Sequence, residues 1–289
     1  MKLNGVNKMY GKQKVLDDIH LELKRGVVTG LIGKNGAGKT TIMKILCGNI
    51  KNFEGEVERG QGSVGYLIEH PKAYMNESGR YNLKYFSHIY SAEPDHDYIK
   101  FLIQSLGMES YINKKVKGYS MGMKQRLGIA ISMLRKPDYL ILDEPTNGMD
   151  PDGSIEVLKT LKELSEQFEI GVLISSHKLE DVEMISDEIV FISQGKIKKT
   201  MDTGDLSKTG VIQIGLQPED LEEGYAVISR SVETVEREGE EIIVPISVDL
   251  SALLKELAKE DIFPSNITKN SHTLKDYYFQ MTESQEVAK

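Results

Sequence analysis

A glycine-rich stretch near the amino terminus, residues 33–41, constrains the fold of this chain more than any other segment. It fits the pattern G-x-x-x-x-G-K-[ST] and lies between an apolar run at 27–32 and a helical pattern at 41–46. The pattern predicts a buried strand, a loop and the start of a helix. Such a loop needs glycines because backbone N–H groups must approach phosphate oxygens closely, and a Cβ would block that approach or forbid positive φ angles.

The loop is therefore a candidate phosphate-binding site. The helix that begins near Gly38 directs the positive end of its dipole at an anion, Lys39 reaches the β- and γ-phosphates, and the Thr40 hydroxyl is placed to bind Mg2+. A glycine-rich turn with a chance lysine is the alternative, which the flanking strand and helix disfavour. The residues of the predicted site are Gly33, Lys34, Asn35, Gly36, Ala37, Gly38, Lys39, Thr40 and Thr41.

The composition excludes several classes of protein. Lys plus Arg number 36 against 44 Asp plus Glu, a net charge of -8, which argues against nonspecific nucleic-acid binding because phosphate backbones attract basic surfaces. The sequence has no apolar run long enough to span a membrane and no signal-peptide core, so we expect a cytoplasmic chain that reaches a membrane only through a partner. The single cysteine, Cys47, allows no intrachain disulfide and favours a reducing compartment.

Antiparallel strands and a helical insertion are predicted in the first half of the chain. Residues 3–9 and 15–23 alternate as strands with one solvated face, and the spacing of apolar residues becomes helical over about 77–135. Tyr10 lies between the two strands. It could stack on an adenine ring or be half-buried in the sheet, and the pattern leaves both possibilities open.

Further apolar runs predict the buried strands of a parallel sheet, with helices between them. These runs are at residues 64–68, 139–142 and 170–175. Ligands of such sheets bind at the carboxyl ends of the strands, and Gly33, Glu144 and His177 all fall there. The convergence supports a binding site at this edge independently of any one motif.

Acidic residues follow two of these strands. Asp143 and Glu144 occupy the position at which P-loop enzymes hold Mg2+ and activate water, although an acid cluster at a helix start is an alternative. Glu69 and His70 could form a metal pair, or they could be ordinary polar residues at a strand end. Ser120 is a plausible N-cap that presents a second helix N-terminus as an anion site, or simply caps its helix.

A change of pattern near residue 204 indicates a second domain. Residues 205–289 predict a small α+β domain with strands at 211–216 and 242–248, a helix capped by Asp249, and a last helix from about Thr273 to Met281. No motif within this domain indicates chemistry. Its function is left open.

Together, these motifs resemble the nucleotide-binding subunit of an ABC transporter over about residues 2–200. The resemblance implies an α/β P-loop NTPase fold, an ABC cassette over 1–204 with an antiparallel β edge and a helical insertion at about 77–135, followed by the accessory domain. The residues that carry it are Tyr10, the loop at 33–41, Glu69, Ser120-Met121-Gly122, the run from Leu140 to Asp150, and Ser175-Ser176-His177.

The resemblance implies ATP hydrolysis with Mg2+. Lys39 and Thr40 would hold the phosphates and Mg2+, and Asp143 would hold Mg2+ directly or through water. Glu144 would be the general base that polarises the attacking water, and His177 would contact the γ-phosphate.

It also implies partners. Tyr10 would stack on adenine, Ser120 and Gly122 would bind the γ-phosphate held by a second copy, and Asp150 would face that copy's phosphate loop. Two copies would then close head to tail, with no nucleic acid bound. They would lie on the inner face of the cell membrane through a separate permease.

Two departures narrow the resemblance. The usual Leu-Ser-Gly-Gly-Gln signature is replaced by Tyr119-Ser120-Met121-Gly122-Met123, and Glu69 stands where a Mg2+-sensing glutamine is expected. We expect Glu69 to ligate Mg2+ as a third carboxylate beside Asp143 and Glu144. Both departures resemble the subgroup that exports bacitracin-type and lantibiotic peptides in resistance or self-immunity.

Three other functions remain as alternatives. They are a different export system, an ABC ATPase that acts on nucleic acid or ribosomes, and a structural nucleotide binder without turnover. The acidic single cassette disfavours the second, and the presence of Glu144 disfavours the third.

Overall fold

The computed structural model describes residues 1–60, 62–69, 71–91, 93–206, 210–271, 274–275 and 278. The chain divides into two compact units, 1–201 and 202–289, shortly before the boundary placed at residue 204 from the sequence. The elements of the first unit are β1 (Lys2–Tyr10), β2 (Gln13–Glu22), β3 (Val28–Ile32), α1 (Lys39–Leu46), β4 (Glu54–Glu58), β5 (Val64–Leu67), α2 (Gly79–Tyr90), α3 (His96–Ser105), α4 (Met121–Met133), β6 (Tyr139–Asp143), α5 (Pro151–Phe168), β7 (Gly171–Ser175), α6 (Leu179–Ile185), β8 (Glu188–Ser193) and β9 (Lys196–Asp202).

An antiparallel sheet in the order β2-β1-β4 forms the predicted β edge. β4 occupies a glycine- and glutamate-rich stretch that carries little strand signal. Gly55 has φ +93°, and a Cβ on it would lie 2.4 Å from the carbonyl oxygen of Gly5. The close approach coincides with a shift of register between Asn4 and Asn7 of β1, so glycine here permits a bulged strand rather than a turn.

The second sheet has six strands in the order β5-β6-β7-β3-β8-β9, and its pairs from β5 to β8 are parallel. Every residue of β3 and β7 is buried, as expected for strands covered on both faces. β8 and β9 are joined at Gln194-Gly195, both with positive φ. The predicted α/β architecture is confirmed, and the carboxyl ends of β3, β6 and β7 lie side by side.

The helical insertion is formed by α2, α3 and α4. Ser78 and Asp95 cap α2 and α3 by accepting hydrogen bonds from Tyr81 N and Tyr98 N. Leu83 and Leu102 are fully buried in the core beneath, whereas Ile89 of α2 is 57% exposed. Within the part of the chain that the structure describes, no helix is both long and apolar enough to span a membrane.

The second unit is a small α+β fold. Its elements are α7 (Thr203–Leu206), β10 (Gly210–Gly215), α8 (Leu221–Ser231), β11 (Glu236–Glu238), β12 (Glu241–Pro245), α9 (Leu250–Lys259) and β13 (Asn266–Ser271). From β10 onward the order β-α-β-β-α-β, with sheet order β11-β12-β10-β13, is the ferredoxin-like arrangement.

Several details of this unit differ from the sequence-based prediction. β12 ends at Pro245 rather than at residue 248. At this point its partner β10 reaches its first residue, Gly210, whose carbonyl oxygen still accepts from Ile246 N at 3.0 Å. The helices α7 and α8 and the strands β11 and β13 were not predicted. The predicted helix from Thr273 to Met281 lies largely outside the described residues, as does His70 of the first unit.

Candidate functional site

The glycine-rich loop connects β3 to α1 as the sequence predicts, but its glycines act in two different ways. Gly36 and Gly38 have φ of +80° and +113°, which side chains disfavour. Gly33 has no positive φ. A Cβ on Gly33 would lie 2.3 Å from the carbonyl oxygen of Ile192 in β8, so this glycine is required for close packing against the sheet.

Lys39 begins α1, and its side chain folds back into the loop. Its Nζ donates to the carbonyl oxygens of Gly33, at 2.6 Å, and Lys34, at 3.4 Å. Burial lowers the pKa of Lys39, while the nearby Glu144 and Asp143 carboxylates oppose this shift. The ammonium group is therefore held in the loop at a point where an anionic ligand would stabilise its charge.

Asp143 ends β6, and hydroxyl groups hold both of its carboxylate oxygens. Thr40 Oγ1 donates to Oδ2 at 2.9 Å, and Ser175 Oγ donates to Oδ1 at 2.6 Å. Ser175 is the residue paired with Asp143 in the β6–β7 register. The structure thus brings the predicted Mg2+ residues Thr40 and Asp143 together, and it adds Ser175, to which the sequence assigned no separate role.

Glu144 follows β6 in a left-handed conformation, with φ 52°. Such a backbone is uncommon for a residue with a side chain and costs free energy, and here surrounding contacts hold it in place. Its N–H lies 3.2 Å from both the carbonyl oxygen and the hydroxyl of Ser175. The turn directs the carboxylate toward His177, whose backbone N–H donates to Glu144 Oε2 at 3.3 Å.

A buried polar network behind these residues was not predicted. Asp181 of α6 accepts hydrogen bonds from Thr146 Oγ1, at 2.6 Å, and from Ser176 Oγ, at 3.4 Å. It therefore joins the segment after β6 to the segment after β7, and these segments carry Glu144 and His177. A polar residue within a short helix gives no distinctive sequence signal, although buried carboxylates of this kind require partners.

Glu69 does not join the acidic pair. Its carboxylate forms an ion pair with Lys44 of α1, one helical turn beyond Thr40. Among the described residues no group of three or more His, Cys, Asp or Glu side chains is arranged to hold a metal. Glu69 therefore does not form the expected trio with Asp143 and Glu144. The positive charge of Lys44 compensates the charge of Glu69, whereas two further carboxylates would not compensate it.

Ser120, Gly122 and Asp150 lie together around a separate cavity of about 220 Å³, which Arg126 also lines. Ser120 caps α4 as predicted, because its Oγ accepts from Met123 N at 3.2 Å. Asp150 is the N-cap residue of α5 but makes no side-chain capping bond. Two helix N-termini therefore border one cavity, whose lining also includes the carboxylates of Asp150 and Glu156, the latter paired with Arg126.

Met121, which replaces a glycine of the usual signature, changes the packing at the start of α4. Met121, the first residue of α4, packs against Gly148, which has φ +76°. A Cβ on Gly148 would lie 2.6 Å from Met121 Cγ. The methionine thus replaces a small residue with a side chain that covers the segment leading to Asp150.

Tyr10 ends β1 with half of its surface exposed, and Lys8 Nζ lies 4.9 Å from its ring centroid. The ring is available to stack on a flat ligand. Its proposed contact with adenine remains a prediction.

The fold and these contacts define a class of protein, the P-loop ATPases in which a phosphate loop, two strand-end acids and a histidine share one edge of a parallel sheet. Comparison with protein families matches residues 16–147 to the ABC transporter family. The chain is 31% identical to the bacitracin transport ATP-binding protein BcrA of Bacillus licheniformis, with 97% of this chain and 96% of that protein aligned. It belongs to the ABC transporter ATP-binding proteins, which bind and hydrolyse ATP.

Two further comparisons agree. The lantibiotic transport ATP-binding protein SrtF of Streptococcus pyogenes is 39% identical over 68% of this chain and 88% of its own length. A solved structure of the ATP-binding cassette MJ0796, a dimer in a post-hydrolysis state bound to ADP and Pi, matches with a TM-score of 0.62 at 19% identity. The aligned region covers 70% of this chain and 98% of the MJ0796 chain, which supports the same fold.

Proposed function

We propose that this ATPase powers export of a peptide antibiotic of the bacitracin or lantibiotic type through a separate membrane permease, in resistance or self-immunity. The observation that carries the proposal is the similarity to the BcrA protein along nearly the whole chain, including the accessory region 205–289. The substitutions at Glu69 and Met121, which resemble the same subgroup, support it further.

In the proposed mechanism, the loop from Gly33 to Thr41 binds the phosphates of ATP, and Lys39 neutralises their charge. The Thr40 hydroxyl and the Asp143 carboxylate are the hard oxygen ligands that suit Mg2+, which would screen the phosphate charge when bound. Glu144 accepts the proton of the attacking water as general base, and His177 orients that carboxylate.

A second copy of the chain is proposed to complete each ATP site. Ser120, Gly122 and Asp150 border their own cavity beside two helix N-termini, and they lie apart from the loop that holds Lys39. In a head-to-tail dimer these groups would contact the nucleotide held by the other copy. We infer that residues 1–204 act as the nucleotide-binding domain and 205–289 as an accessory domain.

The permease is proposed to dock near Glu69. A groove of about 320 Å³ lies beside this residue, between β5, α2 and α4, and its lining includes Tyr66, Pro71, Phe86 and Ile131. Its walls are partly apolar, and Lys72 and Arg135 stand at its margin. A short amphipathic helix of the permease bound here would lie close to Thr40. Glu69 pairs with Lys44, and Lys44 is only one helical turn of α1 beyond Thr40.

The test is protection of sensitive cells by the subunit expressed with its permease. We expect the wild type to raise the tolerated concentration of bacitracin or of a lantibiotic, and the Glu144→Gln variant to give no protection at equal expression. If an ATPase-competent complex protects against neither peptide, the substrate assignment is wrong, although the assignment as an ATPase remains.

A further inference from the structure

Arg126 of α4 is a charged side chain that is largely removed from solvent, with 12% of its surface exposed. A guanidinium group keeps its charge at any ordinary pH, so its burial requires partners. Arg126 follows the Ser120 cap on the same helix and lines the cavity that Ser120 and Asp150 border. In the described part of the chain, the lining of this cavity includes no residue of the phosphate loop at 33–41.

The guanidinium group of Arg126 joins the end of one helix to the start of another. Its Nη1 donates at 2.8 Å to the carbonyl oxygen of Leu106, the C-cap residue of α3. Its Nη2 donates to Glu156 Oε2 at 2.8 Å and to the carbonyl oxygen of Gly153 at 3.4 Å, and both residues belong to α5. Carbonyl groups at a helix C-terminus lack partners within the helix, so the first bond also satisfies α3. Arg126 therefore ties α3, α4 and α5 together.

Gly153, in the first turn of α5, lies between Arg126 and Asp150. A Cβ on Gly153 would lie 2.7 Å from Asp150 Oδ1 and 3.5 Å from Arg126 Nη2. The carboxylate of Asp150 makes no capping bond to its own helix. The guanidinium group thus packs against the backbone that directly follows Asp150, and the place of Asp150 depends on where Arg126 holds this turn.

The same side chain also sets the place of Ser120 relative to Asp150. Ser120 and Arg126 lie on one helix, whose backbone hydrogen bonds keep their spacing fixed. The planar fork of an arginine can hold two partners in one fixed geometry, whereas the ammonium group of a lysine is a point charge. Arg126 therefore fixes the start of α4 against the start of α5.

We propose that Arg126 is a positioning residue for the ATP site of the second copy. It holds Ser120 and Asp150 at the spacing at which both contact the nucleotide that the other copy binds. The inference rests on the proposed head-to-tail dimer and adds a residue to it. Loss of Arg126 should impair the site to which its own copy contributes Ser120, and it should spare ATP binding by its own phosphate loop.

The first experiment replaces Arg126 in the purified full-length chain. In Arg126→Gln the ATPase rate should fall roughly 10- to 100-fold, since a misplacement of about 1 Å can cost that much. ATP affinity measured by calorimetry should be unchanged. Arg126→Lys keeps the charge but not the fork, and its rate should be intermediate. The matched control is Arg25→Gln, which removes an arginine paired with Asp138 before the amino ends of β3 and β6 and should keep the wild-type rate.

The second experiment mixes variants of the chain, because a shared site lets one copy compensate for the defect of the other. A mixed dimer of Arg126→Gln and Lys39→Met has one site with an intact loop and an intact Ser120 half. Its ATPase rate should rise several-fold above the sum of the separate rates. Arg126→Gln mixed with Ser120→Arg should regain nothing, since both defects lie in the same half. Lys39→Met mixed with Glu144→Gln should regain nothing for the same reason.

The mixture of Lys39→Met with Ser120→Arg is the reference for the shared site. If this mixture is active but Lys39→Met does not restore Arg126→Gln, the role of Arg126 is wrong and the proposed dimer stands. If the reference mixture is inactive too, the shared site of the proposed function is wrong, and the role of Arg126 falls with it. Wild-type turnover or weakened ATP binding in Arg126→Gln would also overturn the proposal. If that variant does not fold, Glu156→Gln, which weakens the same contact, takes its place in both experiments.

Discussion

His177 Nδ1 lies 2.5 Å from Glu144 Oε2, and the backbone N–H of His177 reaches the same oxygen. One carboxylate oxygen is thus held by two groups of a single residue, and in the proposed mechanism the other oxygen accepts a proton. The donor at Nδ1 depends on the tautomer of the imidazole, and a proton on Nδ1 gives the hydrogen bond. The contact joins the ends of β6 and β7 and fixes the direction of the Glu144 carboxylate, the proposed general base.

The first prediction concerns Glu144→Gln. The amide keeps the shape of the side chain but cannot take a proton, so ATP affinity should persist while turnover falls roughly 10²- to 10⁴-fold. Steady-state ATPase rates and nucleotide binding by calorimetry measure the two properties separately. Light scattering in the presence of ATP should then show a trapped dimer. An active, monomeric variant would contradict the role of general base.

The second prediction concerns Lys39→Met, which removes the ammonium group that lies inside the loop. ATP affinity should fall sharply because the phosphates lose a charge-assisted contact. Unchanged affinity in calorimetry would mean that this loop is not the phosphate site. Arg25→Met, which removes an exposed cation paired with Asp138, serves as a control and should bind ATP normally.

A third prediction follows from the pKa of Lys39, which burial lowers below 10.5 in the folded protein. Between the folded pKa and 10.5 the unfolded chain binds more protons, so this residue makes the protein more stable as pH rises. The stability of nucleotide-free wild type relative to Lys39→Met should therefore increase on going from neutral to alkaline pH. Urea unfolding at several pH values measures the difference. A constant or falling difference would show that the lysine is not desolvated.

Many features of this site depend on residues that are close together in the sequence, and such features can be predicted from the sequence. The phosphate loop, the strand-end acids and the cap at Ser120 each depend on a few neighbouring residues. The same holds for the order of strands and helices in the first unit, where apolar runs are bounded by clear breaks. Patterns of this kind determine local conformation directly.

Contacts between distant segments were not predictable from these patterns. Lys44 and Glu69 meet because α1 and the end of β5 are packed side by side, which no local spacing reveals. The helix α8 was missed for a related reason. Gly224 weakens its helical signal, yet a Cβ there would lie 2.2 Å from Leu216 Cδ1, so tertiary packing requires the glycine.

The fourth prediction concerns Asp181, the buried carboxylate that joins Thr146 to Ser176. Asp181→Ala leaves the Thr146 hydroxyl without its acceptor in a buried site, which should cost about 1–3 kcal/mol. The thermal unfolding midpoint should fall, and the ATPase rate should fall with it because the segments that carry Glu144 and His177 loosen. Asp181→Asn keeps an acceptor oxygen and should retain more of both. If the alanine variant matches wild type in stability and rate, the network has no supporting role.

The last prediction concerns the ion pair between Lys44 and Glu69; Lys44 lies four residues, about 6 Å along α1, from Thr40. Lys44→Met removes the positive charge of the pair and keeps the negative charge of Glu69 near the proposed Mg2+ residues, so the Mg2+ concentration for half-maximal ATPase activity should fall. Glu69→Gln leaves the ammonium group uncompensated, and that concentration should rise. Glu69 is largely exposed and Lys44 is partly exposed, so each shift should not exceed about fivefold.

The double variant tests whether the net charge of the pair sets the Mg2+ midpoint. If the pair sets the local charge, Lys44→Met combined with Glu69→Gln should return the Mg2+ midpoint close to that of wild type, because both charges are removed together. Mg2+ binding measured by calorimetry with a nonhydrolysable nucleotide gives the same comparison without turnover. Lys51→Met, an exposed lysine elsewhere in the first unit, should change neither quantity. A double variant that keeps the midpoint of either single variant would mean that the net charge of the pair does not control the nucleotide site.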